Sequence, residues 1–302
     1  MLRHLGMRTA LRSTIAPMTA QLIRRLPRTL AMAILLGYLA YTLASWFLAW
    51  NPADAGAYYD AAVRLTHGGD LYPAISPEAH EVFRYAPWFA AAWIPLTALP
   101  REVALHAWSL AMLGCAFAAV WPLLSRPSWA RVALAVLVGQ TLAETAMFGN
   151  AHPLVAGLLV WTVGSRLFRV WVGVAASIKL VPLALALVWA ARRDWGRATI
   201  AVAVTALLFA PMLLFDLRHY VTDPGSGLLS LYSVSPVLWA AAALVGLATT
   251  LWLGARGSRY AWVAAALLMF LGPPRVVLSY LAFLVVAVEL ARREPSGTPT
   301  IR

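Results

Sequence analysis

Ten apolar runs of near-membrane length follow one another along the chain, at 29–50, 85–99, 102–124, 130–148, 151–168, 171–190, 198–215, 234–254, 260–272 and 275–291. A helix that crosses the hydrocarbon core needs about 20 apolar residues. In lipid every backbone N–H and C=O must be satisfied within the segment itself. The pattern therefore predicts an all-α fold, a multispan transmembrane helical bundle of about ten spans. Of the 302 residues, 62% are hydrophobic and 12% charged, whereas soluble domains are about half apolar and a quarter charged. A soluble enzyme and a disordered chain are both excluded. The runs 85–99 and 260–272 are short, and Pro95, Pro122, Pro182, Pro211 and Pro236 fall in or near spans. Several helices should therefore be broken.

The net charge is +12, and arginine supplies all but one of the 24 basic residues. In a soluble protein that balance would suggest nucleic acid. Here the arginines sit between apolar runs, where they orient spans, so no nucleic-acid partner is expected. With the N-terminus inside and all ten runs crossing, fifteen arginines lie inside and eight outside, Arg126, Arg131, Arg166 and Arg169 among the eight. If 85–99 does not cross, the split becomes roughly even. The rule thus favours ten crossings with both termini cytoplasmic. The arginine-over-lysine bias, with the abundant alanine, suggests GC-rich bacterial coding, and a bacterial inner (plasma) membrane is the expected location.

Residues 1–28 read as a basic cytoplasmic segment, 29–291 as the transmembrane domain and 292–302 as a disordered tail. The run 29–50 is longer than a signal h-region and reads as a retained first span. The single cysteine, Cys115, permits no intrachain disulfide. The segments 51–84 and 216–233 stand out as long outer, periplasmic loops, and the first holds Asp54, Asp60, Asp70, Glu78 and Glu81.

Five constellations can carry chemistry. Asp54 follows Trp46 and Trp50, which read as an interfacial belt, and precedes Tyr58, Tyr59 and Asp60. As a partly desolvated carboxylate it suits a general base; equally, it suits the N-cap of a short surface helix over 55–66. Gly68-Gly69 ends that helix. Arg84, Tyr85 and Trp88 follow. Arg84 suits a phosphate at the outer leaflet or a lipid headgroup, and the aromatics suit the belt.

Lys179, the only lysine, sits inside a span three residues before Pro182. A charge there faces a cavity or a partner, and Glu144 is the candidate partner. Asn150 and His152 flank a polar break that reads as a turn or as contacts to substrate hydroxyls. Arg275, after Gly272-Pro-Pro274, has the same two readings as Arg84. No phosphate-binding glycine loop and no metal-ligand spacing is present. No metal and no cofactor is expected, and any chemistry must use a membrane-borne donor or none.

Taken together these residues resemble glycosyltransferase family 87, the polyprenol-phosphate-mannose-dependent mannosyltransferases. The resemblance rests on Asp54 with Tyr58, Tyr59, Ala61 and Ala62, on Gly69-Asp-Leu-Tyr72, on Tyr85-Ala-Pro87, and on Pro95-Leu. It continues through Gly149-Asn150 with His152, Lys179 with Pro182, and Pro274-Arg275 with Ser279-Tyr280. It runs from about residue 30 to 290.

The resemblance implies a GT-C-like fold with a structured first periplasmic loop and Asp54 as the catalytic residue. The implied reaction moves a hexose, mannose by the resemblance, from a polyprenyl-phosphate sugar to a lipid or glycan acceptor, with inversion. Arg84, Lys179 and Arg275 are the candidate donor-phosphate ligands. Tyr58, Tyr59, Asp60, Tyr85, Asn150 and His152 are the candidate substrate contacts. The rival from another class is a polytopic transporter or lipid-carrier flippase built on Lys179 and Glu144.

Overall fold

A computed structural model describes residues 26–45, 52–74, 82–126, 128–220, 230–274 and 276–294. The segment 1–25, Trp46, Trp50, Arg275, the acidic stretch 75–81 and the tail from 295 lie outside the described residues. Those described form helices and loops, with no strand among them. The helices are α1 (Leu26–Ser45), α2 (Ala53–Thr66), α3 (Pro87–Trp93), α4 (Arg101–Ser125), α5 (Trp129–Met147), α6 (His152–Thr162), α7 (Phe168–Ile178), α8 (Ala184–Ala191), α9 (Trp195–Phe209), α10 (Leu231–Val234), α11 (Pro236–Ala255), α12 (Tyr260–Leu271) and α13 (Ala282–Arg293). Five stretches are long and apolar enough to cross a membrane: α1, α4, α5, Trp195–Leu214 and α11.

Caps set several boundaries. The Ser128 hydroxyl accepts from Arg131 N–H ahead of α5, Asp194 accepts from Arg197 N–H ahead of α9, and Ser235 accepts from Leu238 N–H ahead of α11. Each satisfies an N–H that has no partner within the helix.

Two of the ten apolar runs in particular are not single continuous helices. The run 85–99 begins at Pro87 and breaks into α3 and a 3-10 turn at Ile94–Ala98 that contains Pro95. Both its ends lie beside α2, because Tyr58 donates to Tyr85 Oη and Tyr59 donates to the Leu99 carbonyl. The run 171–190 folds back on itself. Phe168 at the start of α7 and Trp189 near the end of α8 have ring centroids 5.8 Å apart. A continuous helix would separate them by about 30 Å at 1.5 Å per residue. The cause is local. Pro182 has no N–H, and its ring would strike the carbonyl of Ile178 in a continuing helix, so α7 ends at Ile178 and Lys179 is extended.

The elements α1, α4, α5, α6, α9, α11, α12 and α13 each run between the Asp54 end and the opposite end, and α7 and α8 together go up and back as a hairpin with Lys179 at its tip. Of the ten expected spans, five correspond to helical stretches long and apolar enough to cross a membrane. The ends are fixed by contacts. His152 and Phe283 meet at the Asp54 end, whereas Gly164 packs on Arg293 and Arg192 bonds to the Ser258 carbonyl at the other.

This arrangement redistributes charge. Of the described arginines only Arg64, Arg84, Arg101 and Arg218 lie at the Asp54 end. The other twelve, Arg28 and those in 126–197 and 256–293, lie at the opposite end. Arg126, Arg131, Arg166 and Arg169 had been expected beside the Asp54 loop. They lie across the bundle from it, and Arg101 moves the other way.

Candidate functional site

The site forms where the start of α2 meets the turn between α5 and α6. Gly149 makes the turn possible. Its φ is +68°, a region that side-chain-bearing residues avoid. A Cβ there would also overlap the Cβ of Ala55 and stand 3.0 Å from its nitrogen. The turn is pinned on both sides: Asp54 N–H donates to the Phe148 carbonyl at 3.1 Å, and Trp108 Nε1 donates to the Gly149 carbonyl at 2.7 Å.

Asn150 then connects the two elements. Its Oδ1 accepts from His152 N–H at 2.9 Å, and its Nδ2 donates to Asp54 Oδ2 at 3.1 Å. Because a backbone N–H can only donate, the amide orientation is settled, and its nitrogen must face the carboxylate. The helix begins two residues earlier than expected, at Ala53, with Pro52 at the cap position. Asp54 is therefore in the first turn and not at the N-cap, where the sequence reading had an alternative role for it.

One turn along, Tyr58 is fully buried. Its hydroxyl donates to Tyr85 Oη at 2.8 Å and accepts from Ala151 N–H at 3.3 Å. The rings of Phe83, Phe89, Trp93 and Trp108 pack around it. Burial pushes the Tyr58 phenol well above its ordinary pKa, with Tyr85 and Asp54 adding to the rise. Tyr85 is raised too, by burial first; Lys179 opposes and Asp54 reinforces that shift. Asp54 and Lys179 thus act on one phenol from opposite sides in charge.

Lys179 lies 5.8 Å from the centre of the Tyr280 ring, and Tyr280 stacks on His152 with centroids 4.8 Å apart. His152 is 1% exposed, and neither ring nitrogen makes a hydrogen bond of good geometry, although the Ser279 main chain lies alongside. The hairpin tip is tied to the outer segment by Trp88 Nε1, which donates to Ser177 Oγ at 3.1 Å. Trp88 is therefore a structural tie in this fold.

The structure brings Asp54, Tyr58, Tyr85, Asn150, His152 and Lys179 into one neighbourhood. Tyr59 and Asp60 point elsewhere: Tyr59 bonds to Leu99, and Asp60 pairs with Arg101 at 3.3 Å. Arg84 flanks the group, and its carbonyl accepts from Tyr220 Oη at 3.1 Å. Glu144 is exposed and lies by Tyr38 of α1. Sequence reasoning missed Trp108, which pins the turn, and Tyr220, which stacks edge-on against Tyr72. Neither has a motif that marks it. Among the described residues no group of three or more His, Cys, Asp or Glu could hold a metal ion.

The site can hold a carboxylate in a fixed direction, beside phenols that stay protonated, with a cation a short distance away. That suits proton removal from a hydroxyl and stabilisation of a departing anion. Comparison with curated proteins and with solved structures gives no match. The model of glycosyltransferase family 87 matches residues 83–284, which includes Arg84, Tyr85, Asn150, His152 and Lys179 but begins after Asp54 and Tyr58. That is about two-thirds of the sequence, and the chain belongs to glycosyltransferase family 87.

Proposed function

We propose that this membrane glycosyltransferase moves a hexose, mannose in the first instance, from a polyprenyl-phosphate sugar to an acceptor hydroxyl on a lipid or glycan. The single observation that carries the reading is the fixed Asp54–Asn150 pair beside Tyr85 and Lys179. Asp54 takes the acceptor proton as that oxygen forms its bond to the anomeric carbon. The bond from the anomeric carbon to the phosphate oxygen breaks on the opposite face, and its electron pair leaves with the phosphate, giving inversion. Charge builds on that phosphate, so a cation near it lowers the barrier. Lys179 is the cation best placed, with Arg84 and Arg275 as further candidates.

Two features support a lipid-borne donor. An apolar cleft of about 250 Å³ between α1, α4 and α5, lined by Leu39, Leu43, Leu110 and Phe117, suits an isoprenoid chain. The arginine-rich end opposite Asp54 suits the cytoplasmic face by the positive-inside rule, which puts Asp54 at the periplasmic face of a bacterial inner membrane. The broken helix at Lys179 also suits a lipid-carrier flippase.

The test uses purified protein in lipid with labelled polyprenyl-phosphate hexoses and lipid-extract acceptors. Transferred label supports the enzyme. Carrier movement across the bilayer with no transferred label supports the flippase.

A further inference from the structure

At the end of the bundle away from Asp54, the base of the α7–α8 hairpin, the start of α9 and the end of α13 enclose a cavity of about 390 Å³. Four arginines line it, Arg166, Arg169, Arg197 and Arg293, against one acid, Glu294. Glu294 is already engaged: it pairs with Arg192 and accepts from Trp262 Nε1 at 2.6 Å. Arg197 pairs with Asp194 at 3.3 Å. Among the described residues no ion pair joins Arg166, Arg169 or Arg293, and Arg169 Nε is buried without a partner.

Like charges that line one cavity repel one another, and an anion among them relieves that repulsion. The backbone makes room for the cluster at Gly164, where a Cβ would collide with the Arg293 guanidinium.

The cavity wall is not polar throughout. Trp189 and Trp262 line it, their rings 6.1 Å apart edge to face. Both are buried, each 3% exposed, and belong to the packed core, so they close the inner wall of the cavity. Guanidinium forks match phosphate oxygens, and basic pockets between helices at an interface suit phospholipid head groups.

From these observations we infer that the Arg166–Arg169–Arg293 cavity binds the phosphate-bearing head group of an anionic phospholipid. Its phosphate would neutralise the base of the hairpin whose tip carries Lys179. This site is on the opposite face from Asp54, and it stands or falls independently of the transfer reaction.

The test titrates delipidated full-length protein with short-chain phosphatidylglycerol, with phosphatidylcholine, and with inorganic phosphate. Retained lipid and the thermal midpoint are the readouts. Phosphatidylglycerol should bind saturably and raise the midpoint, and the other two should do neither. Arg166→Gln with Arg169→Gln should weaken phosphatidylglycerol retention on the order of tenfold. Arg293→Gln alone should weaken it less.

The control is Arg256→Gln with Arg259→Gln. These arginines lie at the same end, stacked on Trp252 and Tyr260 outside the cavity. The control should retain lipid as the parent does. Equal loss in the control, or unchanged retention in both cavity variants, would overturn the inference. Saturation by inorganic phosphate alone would also overturn it, because the ligand would then be a free anion. Absence of label transfer by the parent protein, with its lipid retention intact, would count against the proposed reaction only.

Discussion

Asn150 holds Asp54 across 96 positions of sequence: its side-chain nitrogen donates to Asp54 Oδ2 at 3.1 Å. Its oxygen is committed to His152 N–H, so the amide cannot turn without losing one bond. The carboxylate is thereby aimed by the same turn that starts α6.

Asp54→Asn tests the base directly. The variant keeps the shape and loses the proton acceptor, so transfer should fall about 10²–10⁴-fold. Asp54 lies in the first turn of α2, where an anion gains about 0.3–1 kcal/mol from the helix dipole. Thermal stability should therefore drop only slightly. A near-native transfer rate in this variant would remove Asp54 from the chemistry.

Asn150→Asp sets two carboxylates against each other. Like charges favour keeping one of them protonated, so at neutral pH the variant should be slow. Raising the pH should restore part of the rate, and the acid limb of the pH–rate profile should move upward. Asn150→Ala should be slow without that shift. A profile for Asn150→Asp that matches the parent would mean the pair does not act in the reaction.

Gly149 and Gly68 share nearly the same backbone, with φ of +68° and +69°, and differ in surroundings. Gly68 has nothing within 4 Å of where a Cβ would stand, whereas Gly149 faces Ala55. Gly68→Ala should cost about 1–2 kcal/mol, the penalty of the left-handed conformation alone. Gly149→Ala should cost clearly more and should also abolish transfer, because it pushes α2 away from Asn150. Thermal unfolding of the two variants side by side measures the difference.

The helical class and the surface helix carrying Asp54 were legible in sequence because both are written in local pattern. Apolar runs mark the spans, and Tyr58, Ala62 and Leu65 mark one face of α2. The meeting of Asp54 with Asn150 was not legible, because nothing local to either residue says that Gly149 lets the two elements approach. The hairpin at Lys179 was half legible. Pro182 announces a break, but whether the chain then continues or reverses depends on α9, whose Ala201 and Val204 pack on Gly173. The arginines at 126–169 were misplaced for the same reason: counting 85–99 and 171–190 as crossings inverted the side of everything between them.

The buried phenols give the fold an alkaline limit. Tyr58, Tyr72, Tyr85 and Tyr220 are all raised, chiefly by burial. Each binds its proton more tightly folded than unfolded. The stability this supplies is complete below about pH 10, the ordinary phenol value, and is lost as the pH climbs toward the folded-state values. Unfolding midpoints should hold steady from neutral pH to about pH 9 and fall above pH 10. Tyr58→Phe should soften that fall. Difference absorbance between this variant and the parent should show tyrosinate only as unfolding occurs; tyrosinate ahead of unfolding would place the Tyr58 hydroxyl in water.

Topology separates the observed arrangement from ten crossings. In a Cys115→Ser background, cysteines at Asp70, Ser165 and Trp195 report three positions. Ten crossings put Asp70 and Ser165 on the same outer side, with Trp195 inside. The hairpin puts Ser165 with Trp195, because Phe168 meets Trp189 and the cavity is lined by Ser165 and Arg197 together. With the arginine-rich end inside, an impermeant maleimide added to whole cells should label Asp70→Cys alone. All three should label after permeabilisation. Labelling of Ser165→Cys together with Asp70→Cys in intact cells would restore a crossing at 171–190 and take Lys179 away from the site. Labelling of Ser165→Cys and Trp195→Cys without Asp70→Cys would keep the hairpin and reverse the orientation, leaving Asp54 at the cytoplasmic face.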